Sequence, residues 1–321
     1  MALQRLELVE MESAAEVVHG VMPQTPQYSW PLLNVRAGFE IWVKHENHSP
    51  IGAFKVRGGL VLLEALRNRR GFRGVISATR GNHGQSLAYA SARAGTRCVI
   101  LVPHGNSREK NAAMRALGAE LIEHGRDFDD ARVRASELAA GEDLEFVGPF
   151  RRELVAGVAS YALELFRGAP PLDAVYVPIG CGSGICGLIS ARDALGIATQ
   201  IIGVVATNAN AYALSFAERR PIETSSADTV ADGMAVRVPV PEALEMIYTG
   251  AERIVEVSDA EVEDSMRHYF TDTHNVVEGA GAAPLAAALK ESGRWSGKRV
   301  GLIASGGNVD RPLYQRILGA A

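Results

Sequence analysis

The chain is short of several things that would each point to a function class. No apolar run approaches the roughly 20 residues needed to cross a bilayer, which argues against a membrane-spanning protein. There are three cysteines, Cys98, Cys181 and Cys186, an odd number without framework spacing, which excludes a disulfide scaffold. Cys181 and Cys186 do not form a C-x-x-C pair, so no zinc site is expected there. Basic residues cluster only at Arg67-Asn68-Arg69-Arg70, a run that fits a solvated helix end, and the formal net charge is -4. A nucleic-acid partner is therefore not expected. Residues 1–10 alternate apolar with charged side chains, unlike a signal peptide. Together these absences point to the cytoplasm.

What is present is an ordinary globular composition, 47% hydrophobic and 22% charged, over 321 residues. That length predicts one large domain or two domains. Residues 14–19 read as a short helix broken by Pro23 and Pro26, and 39–44 alternates as a strand does. The pair His45 and His48 sits three apart beside Ser49-Pro50, unlike a zinc-protease helix, and reads as loop. From Lys55 a helical pattern runs to Leu66. Strand-like runs then recur at 75–77, 98–102, 119–122, 174–177, 200–205, 253–257 and 299–304, mostly separated by helical patterns. This alternation predicts parallel sheets with crossover helices. Gly148-Pro149 marks a boundary.

In parallel sheets ligands bind beyond the C-terminal ends of the strands. Four polar or glycine-rich stretches fall at such ends: 79–85, 180–184, 207–210 and 305–308. Gly180-Cys181-Gly182-Ser183-Gly184 follows a strand and opens a helix, where backbone N–H groups and the helix dipole suit a phosphate. The dinucleotide pattern G-x-G-x-x-G is not met, because its sixth position is Ile185, so a monophosphate fits better. Ser305 ends a strand and either caps the last helix or offers a neutral hydroxyl to a heteroaromatic nitrogen. Lys55 lies in Gly52-Ala53-Phe54-Lys55-Val56-Arg57-Gly58-Gly59, a glycine-flanked turn. Such a lysine is either solvated or held in a pocket, where a lowered pKa lets the amine form a Schiff base with a carbonyl.

These motifs, in this order, resemble the serine/threonine dehydratase group of fold-type II pyridoxal-phosphate enzymes, over nearly the whole chain. The lysine motif is Ala53-Phe54-Lys55-Val56-Arg57-Gly58, the asparagine loop Arg80-Gly81-Asn82-His83, the phosphate loop Gly180-Cys181-Gly182-Ser183, and the closing motif Ser305-Gly306-Gly307-Asn308. Residues 229–233 and 278–283 also resemble family segments. The resemblance implies an α/β fold of the tryptophan synthase β type, with two domains, each a mostly parallel twisted sheet flanked by helices. Residues 1–70 and 148–321 would form the large cofactor-binding domain, and 71–147 the small domain carrying the asparagine loop. The implied cofactor is pyridoxal 5'-phosphate. Lys55 would carry it as a Schiff base and then act as α-proton base. Phe54 would pack on its ring, Asn82 would bond its ring oxygen, Gly180, Cys181, Gly182, Ser183 and Gly184 would cradle its phosphate, and Ser305 would meet its pyridine nitrogen. Thr79, Arg80, Asn82 and His83 would bind substrate. The implied reaction is dehydration and deamination of a β-hydroxy-α-amino acid to a 2-oxo acid and ammonia, an ammonia-lyase activity. A serine beside the ring nitrogen leaves it unprotonated, which favours elimination over transamination. A β- or γ-replacement reaction, as in cysteine or threonine synthases, is the alternative. A homodimer without membrane or nucleic-acid partners is implied.

The chain also departs from the pattern. By the resemblance, Arg80 stands where relatives that racemise carry a serine base, and a guanidinium is a poor base, so little racemisation is expected. It either binds a second anionic group or a bulky β-substituent, or turns outward into an ion pair. Residues 204–210 contain no acid where many relatives place a metal-binding glutamate, so no divalent cation is expected. Ala53 and Gly157-Val158-Ala159-Ser160 are less polar than their usual counterparts, which predicts a less polar pocket and a substrate other than plain serine or threonine, such as 3-hydroxyaspartate or a β-aryl serine. The chain ends at Ala321, leaving no room for the family's amino-acid-sensing domain.

Overall fold

Ten strands sort into two sheets in a computed structural model of the chain, which describes residues 5–126 and 128–320. The strands are β1 (Gln27–Ser29), β2 (Glu40–His45), β3 (Gly74–Ala78), β4 (Arg97–Val102), β5 (Glu120–Glu123), β6 (Glu145–Phe146), β7 (Ala174–Pro178), β8 (Gln200–Ala206), β9 (Arg253–Val257) and β10 (Arg299–Ala304). Six form one sheet in the order β1-β2-β10-β7-β8-β9, parallel except for β1 against β2. Four form a second, wholly parallel sheet in the order β5-β4-β3-β6. This is the predicted α/β class with two mostly parallel sheets flanked by helices.

The larger sheet is covered on both faces, which explains why its central strands are apolar almost throughout. Val175, Tyr176, Ile201, Ile202, Val204, Val300 and Leu302 are all fully buried, with Tyr161, Leu165 and Leu285 from flanking helices packed on them. The smaller sheet draws on residues 74–146 alone, and we propose the division 1–70 with 148–321 against 71–147 as its domain boundary. Residues 1–4, 127 and 321 of that division lie outside the described residues.

The helix Lys55–Arg67 connects the two halves. It sends Val56, Leu60, Leu63 and Leu66 into the core that also holds Val75, Leu87 and Ile100 of the smaller half. Its other side packs on helix Arg152–Gly168, and the two backbones nearly touch. A Cβ on Gly58 would lie 2.8 Å from the Leu154 carbonyl oxygen, and one on Gly157 would lie 2.3 Å from that of Arg57. This contact corrects one expectation. Residues 157–160 sit in a helix–helix seam, and Ala53 is buried in a bridge to Gly306. Neither belongs to a ligand pocket.

Helices open after Ser107, whose hydroxyl accepts from Lys110 N–H, and after Ser258, which forms a full capping box with Glu261. The first helix is longer than predicted, Leu8–His19, because Met11, Ala14 and Val18 bury one continuous stripe. Two helices escaped the sequence reading, Pro31–Ala37 and Pro241–Gly250. Both begin with proline, which suits a first helical turn although it breaks an interior one. No helix among the described residues is long and apolar enough to cross a membrane.

Candidate active site

The C-terminal ends of β3, β7 and β10 face one cavity of about 560 Å³ between the two sheets. Lys55 lies in its wall, at the first position of the helix that joins the halves. The helix start is held by Phe54 N–H, which donates to the Ser305 carbonyl, and by Ser86 Oγ, which donates to that of Lys55. Lys55 Nζ lies 3.4 Å from Ser183 Oγ and 5.0 Å from the centre of the Phe54 ring. Phe54 in turn packs edge-on against Tyr161 at 6.1 Å. Burial lowers the Lys55 pKa, with only Cys181 opposing the shift, so the free amine is more accessible than in water.

Beneath the lysine helix lies a buried ion cluster that the sequence reading missed. Arg57 donates to both oxygens of Glu46 at 2.7 and 2.9 Å, to both of Glu164 at 2.6 and 2.9 Å, and to Ser160 Oγ at 2.8 Å. Lys44 and His19 complete the shell of Glu164. Burial alone would lower the Arg57 pKa, but the two carboxylates outweigh it and keep the guanidinium charged. The cluster ties the lysine helix to β2 and to helix Arg152–Gly168. The arginine of the lysine motif is thus a strut for Lys55.

The glycine turn after β7 leaves no room for side chains at two of its positions. Gly182 adopts φ +95°, which disfavours a side chain, and a Cβ there would also fall 2.6 Å from that of Ala243. A Cβ on Gly180 would strike the Gly233 carbonyl oxygen at 2.3 Å. Helix Ser183–Ala194 starts at this turn, so its first N–H groups lack intrahelical partners. Cys181 lines the cavity, and burial raises its thiol pKa against the pull of Lys55.

Ser305 does not cap the last helix. That helix, Arg311–Gly319, has Asp310 at its cap position, and Ser305 stands at the end of β10. Its Oγ has no hydrogen-bond partner among the described residues, although Ser305 is buried and lines the cavity. An unpartnered hydroxyl in that place fits a ligand acceptor or donor.

The asparagine loop is positioned by β3. Thr79 Oγ1 accepts from Gly81 N–H at 3.2 Å, and helix Asn82–Ala94 follows. Asn82 donates from Nδ2 to Glu278 Oε1 at 2.7 Å and accepts on Oδ1 from Asn308 Nδ2 at 2.8 Å. His83 is buried, and its Nε2 lies 3.4 Å from the Val147 carbonyl oxygen. Burial, aided by Lys55, lowers its pKa to about 3, so the ring is neutral. Its imidazole therefore contacts the smaller half while His83 also lines the cavity.

Arg80 lines the cavity and also forms an ion pair with Asp232. It is 56% exposed, with Nε 3.9 Å from Asp232 Oδ1, while Lys110 Nζ donates to Asp232 Oδ2 at 2.8 Å. Phe128, Arg132, Val236, Arg237 and Val238 complete an outer rim. Lys110, Asp232 and Glu278 are further site residues. The latter two lay in the segments 229–233 and 278–283 but carried no assigned role. The stretch 207–210 does not line the cavity. It follows β8, which is separated by β7 from β10, and each strand adds about 4.8 Å of displacement.

A pyridoxal phosphate needs a lysine that gives up its proton more readily than in water, a cradle for one phosphate, a partner at the ring nitrogen and room for the ring. Lys55, the Gly180–Gly184 turn, the free Ser305 hydroxyl and the cavity volume meet these needs. The family model described as pyridoxal-phosphate dependent enzyme matches residues 19–306. An L-threonine ammonia-lyase of Thermotoga maritima is 30% identical over 314 residues, covering 98% of this chain and 78% of the relative. The structure of maize serine racemase matches with a TM-score of 0.92 at 25% identity, covering 98% of this chain and 97% of that one. The processed form of threonine deaminase isoform 2 from Solanum lycopersicum matches with a TM-score of 0.90 at 26% identity, covering 100% and 98%. These likenesses bear out the fold-type II architecture and the cofactor. The chain belongs to the pyridoxal-phosphate dependent enzyme family.

Proposed function

We propose that the chain is an ammonia-lyase acting on a β-hydroxy-α-amino acid, with Lys55 as cofactor carrier and α-proton base. The observation that carries this reading is the desolvated Lys55 amine opening on the same cavity as an unpartnered serine hydroxyl, with no carboxylate in that serine's place. The name of the Thermotoga relative, L-threonine ammonia-lyase, supports the reaction class.

Bound in the cavity, pyridoxal phosphate supplies a carbonyl for amines and a sink for the electron pair left on the α-carbon. The Gly180, Cys181, Gly182, Ser183 and Gly184 turn would hold its phosphate on backbone N–H groups at a helix start. Phe54 would pack on its ring, Asn82 would bond its ring oxygen, and Ser305 would meet its nitrogen. Thr79, His83 and the first backbone N–H groups of helix Asn82–Ala94, that of Asn82 among them, bind the substrate carboxylate. Lys55 Nζ removes the α-proton, since it is held in place and less strongly protonated than in water. Loss of the β-hydroxyl as water and later addition of water leave a 2-oxo acid and ammonia. Arg80 and the apolar rim residues Phe128, Val236 and Val238 face the β-substituent. They favour a substrate larger or more acidic than serine, with 3-hydroxyaspartate and β-aryl serines as candidates. A guanidinium is too poor a base to serve as the second base that racemisation needs. A homodimer, implied by the resemblance, is part of the same reading and is measured by light scattering.

The test is a panel of threonine, serine, 3-hydroxyaspartate and phenylserine, scored for 2-oxo acid and ammonia without any added nucleophile. Release from at least one member supports the reading. Turnover only when a thiol or other nucleophile is added would replace it with the replacement reaction.

A further inference from the structure

The closing motif Ser305-Gly306-Gly307-Asn308 is used by the site only at its serine, yet the other three residues are tightly bound into it. Gly307 N–H donates to the Gly52 carbonyl at 2.8 Å, and Glu278 N–H donates to that of Gly306 at 2.9 Å. A Cβ on Gly306 would fall 2.4 Å from Glu278 Oε1, so only glycine lets that carboxylate approach. Asn308 Nδ2 donates twice, to the Ile51 carbonyl at 2.8 Å and to Asn82 Oδ1 at 2.8 Å. Asn82 Nδ2 donates to Glu278 Oε1 at 2.7 Å.

The direction of this chain of bonds is fixed at one end. A backbone carbonyl only accepts, so the Ile51 oxygen requires the NH2 of Asn308 on its side. The second hydrogen of that NH2 then requires the oxygen of Asn82, which leaves the Asn82 NH2 toward Glu278, a carboxylate that completes the pattern. Asn82 lines the cavity, and its Nδ2 makes no second hydrogen bond among the described residues. One N–H of known polarity is therefore left over at the cavity wall.

We propose that Asn308 and Glu278 are positioning residues that set the polarity of the Asn82 amide, so that Asn82 presents a donor, and never its carbonyl, to the ring oxygen of the cofactor. Lys55 and Asn82 are thereby placed by one continuous unit, because the turn that carries Ile51 leads directly into Lys55. The inference rests on the role given to Asn82 above but not on the identity of the substrate.

The experiment strips the full-length holoenzyme of cofactor and titrates pyridoxal phosphate back without substrate, reading affinity and the position of the visible band. Asn82→Ala, Asn308→Asp, Glu278→Ala and Glu278→Gln are compared with the parent. Asn308→Asp is nearly isosteric but cannot donate, so it turns the Asn82 amide over. Asn82→Ala, Asn308→Asp and Glu278→Ala are each expected to weaken cofactor binding about tenfold or more, the scale of one lost hydrogen bond to a charged acceptor. Each is also expected to move the visible band. Glu278→Gln keeps an acceptor for Asn82 and is expected to stay within about threefold of the parent, by the same reasoning. If Glu278→Ala does not fold, Asn308→Asp carries the test. A parent-like affinity and band in Asn308→Asp and Glu278→Ala, beside a defective Asn82→Ala, would overturn the relay while leaving Asn82 in its role. A parent-like Asn82→Ala would overturn both.

Discussion

Two buried glutamates are treated in opposite ways in two parts of this molecule. Glu164, beneath the lysine helix, would be raised by burial, but Arg57, Lys44 and His19 outweigh that and hold it at about 2. Glu278, on the cavity wall, has one neutral amide as its direct side-chain partner, and burial pushes it up to about 7. Where the scaffold provides every partner, a buried charge is a strut. Where partners are short, the group belongs to a site, and the missing interactions come from what binds there.

Lys55 and Arg57 break or sharpen the contrast most strongly. Lys55→Ala should lower kcat by about 10⁴-fold or more, since base and tether go together. It should not lower the thermal stability of the cofactor-free protein, because the amine is desolvated and only weakly paired. Arg57→Met should do the reverse. Leaving Glu46 and Glu164 short of a buried partner should cost about 3–5 kcal/mol in urea unfolding. A drop in stability for Lys55→Ala as large as that for Arg57→Met would erase the distinction between site and strut.

The glutamates themselves predict opposite pH slopes in the cofactor-free protein. Glu278 is raised from its ordinary 4.5 to about 7 in the folded chain. The folded state then binds more protons, so stability falls as pH rises through that window, by about 3 kcal/mol in all. Glu278→Gln removes this loss, and its melting temperature relative to the parent should climb between pH 5 and pH 8, values chosen to lie roughly either side of that window. Glu164 is lowered from 4.5 to about 2, so its contribution is complete above 4.5 and is lost as pH falls through 2. Glu164→Gln should flatten that acid limb. Parallel slopes in the two variants would show that the two glutamates do not differ as described.

The smallest effect is expected at the rim. Arg80→Ser should change the ratio of kcat/KM between 3-hydroxyaspartate and threonine by about tenfold, the scale of one exposed charge contact in a substrate pocket. An unchanged ratio would leave Arg80 as a partner of Asp232 alone.

The strut-and-site distinction also marks what was legible in the sequence. Lys55, Asn82, the Gly180–Gly184 turn and Ser305 were readable because each sits in a short motif, at the end of a strand or, for Lys55, at the start of a helix. There the backbone itself demands glycine, serine or a helix start. The rim was not readable, because Lys110, Phe128 and Val236 come from separate segments that only tertiary folding brings together. Lys110 in Arg108-Glu109-Lys110 looks like any solvated helix start. Ala53 and residues 157–160 misled for a related reason: apolar substitutions near a motif look the same whether they face a ligand or a neighbouring helix. The stretch 207–210 was misplaced because strand order is not written in local sequence. Arg57 stands in the lysine motif, but its partners Glu46 and Glu164 lie 11 and 107 residues away.

Reduction of the holoenzyme with borohydride, followed by digestion and mass mapping, tests the central claim most directly. Of the five lysines in the chain, Lys55 alone is expected to carry the added mass of the cofactor, with the visible band lost in parallel. Cofactor mass on Lys44, Lys110, Lys290 or Lys298, or on no lysine, would contradict it.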